Sequence, residues 1–377
     1  MKVIKAGKLI LKDGVKENQY LYIDDGKIQK ITADGPEEYV DYSQYYVAPG
    51  YVDTHIHGYG GKDIMDGTKE ALDTISKGIV ENGVTSYLPT TLTASMEDLD
   101  RAVKNVGDHY KEAPGAKIHG IFLEGPFFTE KHKGAQNPKY MGDPDIEILR
   151  HWQEISGNMI KKIAIAPERK GSVEFTKKAR EMGVYVALGH SDATYDEAYE
   201  AVMAGANIFV HLFNGMSGLH HRNPGMVGAG LSLDQAYCEL ICDGHHLHPA
   251  TIKIVKKAKG YEKAFLITDC MMAGGIEDGQ YKLGEFDVTV KEGTARLDSG
   301  SLAGSILRLK DGVENIIDWE IASIFEAVQM ASQIPAKSVG IDDRCGIIEE
   351  GRDADLNILD EKGHLIETYL RGEKWMA

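Results

Sequence analysis

The residues of this 377-residue sequence that could carry chemistry are histidines and carboxylates at the ends of apolar runs. They are His55 and His57, Glu124, His190, His211 followed by Asn214, Asp243 to His246, and Asp269. His55 and His57 are two residues apart, so on a strand both side chains project from the same face. Several imidazoles together with a carboxylate suit Zn²⁺, Fe²⁺, Mn²⁺ or Co²⁺, and the ligand types do not choose among these metals. The pattern predicts a divalent-metal centre, provided that the fold brings these run ends together.

Eight β-rich apolar runs carry these residues, and stretches with helical patterns separate them. The runs cover residues 52–57, 85–90, 118–125, 162–168, 184–191, 208–214, 237–246 and 264–269. Two of the intervening helices are predicted to begin at capping residues, Ser95 and Ser172. Eight strand–helix units in series predict an α/β fold, a (β/α)8 TIM-like barrel. Because the carboxyl ends of barrel strands meet at one rim, this fold would make neighbours of residues that are distant in sequence.

The two ends of the chain have a different pattern from its middle. Residues 1–48 and 345–377 contain short alternating runs broken at Asp-Gly and Lys-Gly turns, which is typical of antiparallel strands. We expect the two ends to pair into one small β-sandwich domain, with the barrel occupying residues 49–344. Residues 281–300 are predicted to form a hairpin after the eighth barrel strand.

Charge and composition exclude several functional classes. The chain has 42 Lys and Arg against 58 Asp and Glu, a net charge of −16, which repels nucleic acid and anionic membranes. The first residues lack the apolar core of a signal peptide, and no apolar run approaches the roughly 20 residues that span a bilayer. Four cysteines without CxxC spacing suit free thiols in a reducing compartment. We therefore expect a cytoplasmic protein without nucleic-acid or membrane partners, which would bind any phosphate through a local cluster of donors.

Short motifs occur in one order across residues 48 to 305. They are APGYVDTHIHG, LEGPF, GHSDA, HLFNGM, DGHH, LITD and LAGS, and the segment GIIEEGRDADL follows them. With these motifs the chain resembles the N-acetylglucosamine-6-phosphate deacetylase family of the amidohydrolase superfamily. The HxH pair is shared by many hydrolases, whereas LEGPF followed by HLFNGM and LAGS is much more specific. The resemblance implies metal-dependent conversion of N-acetylglucosamine 6-phosphate to glucosamine 6-phosphate and acetate in amino-sugar catabolism.

The resemblance also implies a set of metal ligands. Glu124, His190 and His211 would bind one divalent metal ion. His55 and His57 would bind a second, with Glu124 bridging the two. Some members of the family lack the HxH pair and use a single metal, so the expectation is one or two ions in each subunit.

Catalytic and substrate-binding roles are implied in the same way. Asp269 matches the catalytic acid and base, and His246 would hydrogen-bond the acetyl carbonyl or a sugar hydroxyl. The substrate-binding positions are Gln136, Asn214, Gly215, Arg222, His246 and the loop of Leu302, Ala303, Gly304 and Ser305. At Gln136 the family often has histidine, and glutamine can donate a hydrogen bond but cannot carry a proton charge. In related deacetylases the arginine that matches Arg222 reaches the substrate of a neighbouring subunit, which implies a homodimer.

Two other functions remain open from the residues alone. A cyclic-amide hydrolase such as a dihydroorotase or a dihydropyrimidinase shares the barrel and the HxH pair. Those enzymes usually bridge their metals with a carboxylated lysine at the end of strand four, and here that run, KIAIAPE, ends without lysine. The second alternative is a non-catalytic barrel scaffold, against which the retention of every predicted ligand argues.

Overall fold

The structure, a computed structural model, describes residues 1–376. Its strands are β1 (Lys2–Leu11), β2 (Gly14–Asp24), β3 (Lys27–Thr32), β4 (Val40–Pro49), β5 (Tyr51–Ile56), β6 (Gly58–Tyr59), β7 (Lys62–Asp63), β8 (Val84–Thr91), β9 (Lys117–Ile118), β10 (Ile121–Glu124), β11 (Ile160–Ile165), β12 (Tyr185–Leu188), β13 (Ile208–Phe209), β14 (Tyr237–Leu240), β15 (Ala264–Leu266), β16 (Gly279–Leu283), β17 (Phe286–Lys291), β18 (Thr294–Leu297), β19 (Leu356–Leu359), β20 (Leu365–Leu370) and β21 (Glu373–Lys374). Its α-helices are α1 (Lys69–Val80), α2 (Met96–His109), α3 (Ile146–Ile155), α4 (Ser172–Glu181), α5 (Tyr195–Met203), α6 (Gly225–Ser232), α7 (Pro249–Lys259), α8 (Leu309–Asp318), α9 (Ile324–Ala331) and α10 (Gln333–Ser338).

Eight parallel strands form the predicted barrel. Their order is β5, β8, β10, β11, β12, β13, β14 and β15, with the short β9 paired to β8. The end of β5 meets the segment that follows β15, where the Asp269 amide donates to the His55 carbonyl at 2.9 Å and the His57 amide to the Cys270 carbonyl at 2.9 Å. Every residue of β5 and β8 is buried, as expected where side chains fill the barrel on one face and pack under helices on the other. The predicted barrel is confirmed.

Helix starts agree with the predicted caps in one case and differ in the other. The Ser95 hydroxyl accepts from the Asp98 amide and caps α2, as predicted. Helix α4 instead has Gly171 at its N-cap, and the buried Ser172 hydroxyl donates to the Pro167 carbonyl at 2.5 Å. The prediction that Ser172 caps this helix was wrong, because the Pro167 carbonyl accepts from the hydroxyl instead.

The two chain ends form one seven-stranded sheet in the order β21, β20, β19, β4, β1, β2, β3. Side chains from opposite ends of this order, including Ile28 and Tyr369, pack into a single buried cluster, so the sheet curls over itself. Its β3 edge is tied to the segment before β19, where the Ile28 amide donates to the Arg352 carbonyl at 2.9 Å. This arrangement agrees with the predicted small β-sandwich.

The segment after the eighth barrel strand is larger than the predicted hairpin. It is a three-stranded antiparallel sheet of β16, β17 and β18, and the third strand was not predicted. The turn into β18 has positive φ at Glu292 and Gly293, a geometry that Asn-Gly or Asp-Gly would have signalled more clearly. Leu283 and Val288 of this sheet belong to one buried cluster with Leu92, which follows β8, so the sheet lies beside the barrel rim.

Two further observations bear on the sequence predictions. All four cysteines are buried and unpaired. Within residues 1–376 none of the helices is both long enough and apolar enough to cross a bilayer.

Candidate metal centre and substrate pocket

Three predicted site residues follow the ends of their strands and have left-handed backbone conformations. The φ angles are +44° at His190, +30° at His211 and +51° at Asp269. Side chains with a Cβ adopt this region at a cost and are concentrated at functional sites, where the surroundings enforce it. The sharp turns end each run and leave all three side chains at the same rim.

Glu124, the last residue of β10, lies at the centre of the histidines. Its Oε1 atom lies 3.1 Å from His211 Nε2, 3.2 Å from His55 Nε2 and 3.4 Å from His190 Nε2. Its Oε2 atom lies 3.3 Å from His57 Nε2. One buried carboxylate therefore contacts every predicted histidine ligand, which is the placement that a bridging ligand needs.

The possible ligand atoms form two groups. Glu124, His190 and His211 form one, and His55, His57 and Asp269 form the other, each with its ligand atoms within 4.8 Å of one another. The Asp269 Oδ1 atom lies 3.1 Å from His57 Nε2 and 3.3 Å from His55 Nε2. The Asp269 carboxylate thus contacts both imidazoles of the HxH pair. These contacts are closer than a role in proton transfer alone requires.

Three imidazoles are held by their Nδ1 atoms, so that Nε2 faces the cluster. The partners of Nδ1 are a Glu239 carboxylate oxygen for His55 at 2.9 Å, the His132 carbonyl for His190 at 2.9 Å, and the Asn214 carbonyl for His211 at 3.0 Å. An acceptor at Nδ1 fixes the proton there and leaves the Nε2 lone pair for a metal. The Nε2 atom of His55 is buried and lacks a well-directed hydrogen bond within residues 1–376. The imidazole Nε2 atoms and the Glu124 carboxylate are therefore suitable ligands for a divalent metal ion.

The pKa shifts of the clustered residues also favour the binding of a cation. Burial favours neutral imidazoles, but Asp269 and Glu124 outweigh it, raising the pKa of His55 to about 9 and that of His57 well above its usual range. Burial likewise opposes a charged Glu124, yet the surrounding histidines hold its pKa well below the usual range. The pKa of Asp269 is lowered in the same way by His55 and His57. The cluster is a buried concentration of carboxylate charge that stabilises cations.

Sequence reasoning missed Lys162 and Glu239, which lie beneath this cluster. Both side chains are fully buried, on β11 and β14, and they form an ion pair inside the barrel. Glu239 is also the partner of His55 Nδ1. Part of the signal was present in the sequence, since Glu239 is a charge within an apolar run of a strand predicted to be buried, whereas Lys162 follows Lys161 at the start of its run.

Gln136 was predicted to bind substrate, and both ends of its buried amide are engaged within the protein. Its Nε2 atom donates to Glu124 Oε2 at 2.5 Å, and its Oε1 atom accepts from the Thr93 amide at 2.9 Å. Gln136 therefore holds the Glu124 carboxylate in place, and Gln136 also lines the pocket.

A cavity of about 350 Å³ opens from the cluster, within the size range of small-ligand sites. The predicted substrate positions on its wall are Gln136, Asn214, Gly215, His246, Leu302 and Gly304. Gly215 has φ +61°, and a Cβ there would lie 2.9 Å from the Nδ1 atom of His190, so a side chain would displace a predicted ligand. His132, Leu283 and Ser301 also line the cavity and were not predicted.

Two residues of the predicted Leu302 to Ser305 loop support the wall without lining it. Ala303 is fully buried, and its amide donates to the Ala295 carbonyl at 3.0 Å. The Ser305 amide donates to the Asp269 carbonyl at 2.8 Å, and its hydroxyl to the Thr268 carbonyl at 2.6 Å. Ser305 therefore fixes the backbone that carries Asp269.

His246 lies on the cavity wall with a defined orientation. Its Nδ1 atom lies 2.6 Å from Asp243 Oδ2, and the two amides of His245 and His246 donate to Asp243 Oδ1 at 2.8 Å each. Asp243 thus fixes Nδ1 as a donor and leaves Nε2 to the cavity.

Arg222 does not line this cavity. It is exposed, borders a separate depression with Asp192 and Tyr195, and contacts His221 Nε2 through Nη1 at 2.9 Å. None of the described residues on the wall of the cavity is lysine or arginine. The chain therefore brings the candidate metal ligands and the cavity together, but not Arg222.

An eight-stranded parallel barrel with imidazoles and carboxylates clustered at its carboxyl rim is the architecture of metal-dependent hydrolases. The chain belongs to the amidohydrolase family, whose sequence model matches residues 46–374. An N-acetylglucosamine-6-phosphate deacetylase of Vibrio furnissii is 42% identical over 325 residues, which cover 86% of this chain and 81% of that protein. An N-acetylgalactosamine-6-phosphate deacetylase of Escherichia coli O157:H7 is 37% identical over 372 residues, 98% of each chain.

Comparison of structures agrees with these relatives. The structure of a mutant N-acetyl-D-glucosamine-6-phosphate deacetylase from Mycobacterium smegmatis, in complex with N-acetyl-D-glucosamine-6-phosphate, matches with a TM-score of 0.93 and 29% identity. It covers 99% of this chain and 98% of that one.

Proposed function

We propose that this chain hydrolyses the amide of N-acetylglucosamine 6-phosphate, giving glucosamine 6-phosphate and acetate. The observation that carries the proposal is the cavity wall, where a metal-ligand cluster, Asp269 and His246 surround one space large enough for a small ligand. The named relatives and the sugar-phosphate complex of the structural neighbour support the same substrate.

The metal ligands in this proposal are the five predicted residues. Glu124, His190 and His211 would hold one divalent ion, and His55 and His57 a second, with Asp269 beside them. A bound ion would polarise the acetyl carbonyl and lower the pKa of water from 15.7 towards about 7. Zn, Fe, Mn and Co are all compatible with these ligands.

Asp269 is the proton carrier of the proposed reaction. Its lowered pKa keeps it a carboxylate at neutral pH, so it can accept a proton from the attacking water. It would return that proton to the sugar nitrogen, because an amine leaves far more readily than an unprotonated amide anion. The two backbone hydrogen bonds of Asp269, to His55 and from Ser305, hold it in place during both steps.

His246 would bind the reacting amide or the sugar. With Nδ1 committed to Asp243, Nε2 accepts from a sugar hydroxyl when the ring is neutral and donates to the acetyl oxygen when the ring is charged. A well-placed donor to a developing oxyanion contributes about 3 to 4 kcal/mol to catalysis.

The phosphate site is proposed to lie across a homodimer interface. A dianion needs cationic donors, and the described wall of the cavity provides histidines but neither lysine nor arginine. Arg222 is exposed and does not line the cavity of its own chain, so in this proposal it serves the cavity of a second subunit. Its planar guanidinium can give two parallel bonds to phosphate oxygens. Asn214 and the Gly215 amide would contribute the remaining donors.

The second candidate substrate is the C4 epimer, N-acetylgalactosamine 6-phosphate, and the relative that is 37% identical over 98% of the chain favours it. The cyclic-amide alternative has less support. Strand β11 does contain a lysine, Lys162, but it is buried below the cluster and paired with Glu239 rather than exposed at the rim.

The test compares three substrates with the metal-loaded protein: N-acetylglucosamine 6-phosphate, its galactosamine epimer, and unphosphorylated N-acetylglucosamine. The proposal predicts the highest kcat/KM with the first and a large loss without phosphate. A higher kcat/KM for the epimer would reassign the sugar, and hydrolysis of dihydroorotate in preference to all three would reject the proposal.

A further inference from the structure

Two ionisable side chains without a part in the proposed reaction lie inside the barrel. Lys162 and Glu239 come from different strands, β11 and β14, and both have zero exposure. A buried ion pair contributes little net stability, and replacing it by apolar groups is often neutral or stabilising. Its position beneath the metal cluster therefore calls for another explanation.

The two oxygens of Glu239 have different partners. Oε2 faces the cluster, accepting from His55 Nδ1 at 2.9 Å and from the His211 amide at 3.3 Å. Oε1 faces away and accepts from the Lys162 ammonium. Lys162 itself reaches the Thr54 carbonyl at 3.4 Å and lies 3.6 Å above the centre of the Phe122 ring. One carboxylate thus holds a ligand from each of the two metal groups.

We propose that Glu239 is a positioning residue for metal binding, whose Oε2 atom fixes His55 so that it presents Nε2 to the metal, and that Lys162 compensates the buried charge of Glu239. The inference rests on the metal centre of the proposed function. Glu239 must act as an acceptor towards both His55 Nδ1 and the His211 amide, because His211 N–H can only donate. Lys162 satisfies the other oxygen and so leaves Oε2 for these two donors.

This arrangement gives an unusual expectation for Glu239→Gln. The Lys162 ammonium can only donate, so it would attract the single amide oxygen and turn the NH₂ group towards His55 and His211. His55 Nδ1 would then have to accept, its proton would move to Nε2, and the Nε2 lone pair would be lost to the metal. The backbone amide of His211 would also face the NH₂ group of the new glutamine, which cannot accept its hydrogen bond. We expect metal affinity to fall by about 10- to 100-fold, the range for lost outer-shell partners of metal ligands.

Removing the lysine should reverse that loss. In Lys162→Met/Glu239→Gln the amide oxygen is free to face His55 and His211, which restores the tautomer that binds metal. The double variant is therefore expected to bind metal at least about tenfold more tightly than Glu239→Gln alone. Lys162→Met by itself keeps the carboxylate acceptor and should retain metal affinity while losing stability.

The experiment measures the metal dissociation constant of each variant by competition with a chromophoric chelator, using Zn²⁺ and then Mn²⁺. Urea unfolding of the same samples separates affinity from stability. Matched controls are Lys259→Met, a buried lysine bonded to the Leu233 carbonyl, and Asp355→Asn, a carboxylate paired with Lys117 away from the metal cluster. Both controls should leave metal affinity unchanged.

Unchanged affinity in Glu239→Gln would overturn the proposal, as would a double variant no better than Glu239→Gln. If Glu239→Gln does not fold, the comparison becomes Lys162→Met/Glu239→Gln against Lys162→Met/Glu239→Leu, where only the former keeps an acceptor and should bind metal tightly. Equal affinity of these two would refute the positioning role. Since the readout is metal binding, a wild-type protein that binds metal but releases no acetate would reject the proposed function and leave this inference standing.

Discussion

Asp269→Asn tests the proton chemistry most sharply, because the structure limits what else the change can do. Asparagine is nearly isosteric, and the backbone of Asp269 is held independently of its side chain by His55 and Ser305. The amide cannot accept and return a proton. We expect kcat to fall by about 10² to 10⁴, the contribution of a positioned acid and base, or about 3 to 5 kcal/mol in the barrier.

The assay must separate the loss of proton transfer from a loss of bound metal. Asp269 Oδ1 lies within 3.3 Å of two histidine ligands, so metal content is measured in the same sample and kcat is expressed per metallated site. Asp243→Asn is the control for removing a carboxylate beside the cavity, and its kcat should fall less. A fully metallated Asp269→Asn protein with kcat within about tenfold of the wild type would refute the assignment of proton transfer to Asp269.

Three further predictions follow from the same geometry. Glu124→Ala removes the carboxylate that contacts all four histidines and should abolish both metal binding and turnover, so stoichiometric metal in that variant would contradict the bridging role. Arg222→Ala should raise KM for the phosphorylated sugar while hardly changing the poor activity on N-acetylglucosamine. Mixed dimers of Arg222→Ala and Asp269→Asn subunits should regain one intact site, and their failure to do so would exclude a shared site. Burial beside Lys117 and Arg344 lowers the pKa of His119 to about 4, so the unfolded chain takes up its proton first as pH falls. The wild type should therefore lose about 2 kcal/mol more unfolding free energy than His119→Gln between pH 7 and pH 5 in urea titrations, and equal losses would contradict the pKa.

The barrel and the clustering of the candidate ligands were predictable because one rule of parallel folds connects them. The candidate ligands lie at or just after the ends of apolar runs, and a closed barrel brings all run ends to one rim. His55 and His190 could therefore be assigned to one site without any knowledge of their distance. The family resemblance added the division of roles, which residue type alone does not provide.

The features that the sequence did not predict are hydrogen bonds and ion pairs between particular side chains, which the pattern of apolar and polar residues does not specify. The two hydrogen bonds that hold the Gln136 amide between Glu124 and Thr93 are not encoded by any spacing in the sequence. Ser172 lost its capping role to a neighbouring carbonyl, which only the fold reveals. Glu239 stood out as a charge within an apolar run, but its pairing with Lys162 across the barrel requires the strand order.

The most direct test of the account measures products and metal together. The purified protein is stripped with chelator, assayed with N-acetylglucosamine 6-phosphate, and assayed again after Zn²⁺, Fe²⁺, Mn²⁺ or Co²⁺ is returned, with acetate and free amine quantified in parallel. The account predicts no turnover in the stripped protein and equal amounts of acetate and amine once a suitable metal binds. Turnover that is unaffected by complete metal removal, or metal-loaded protein that releases no acetate from any N-acetylhexosamine 6-phosphate, would contradict it.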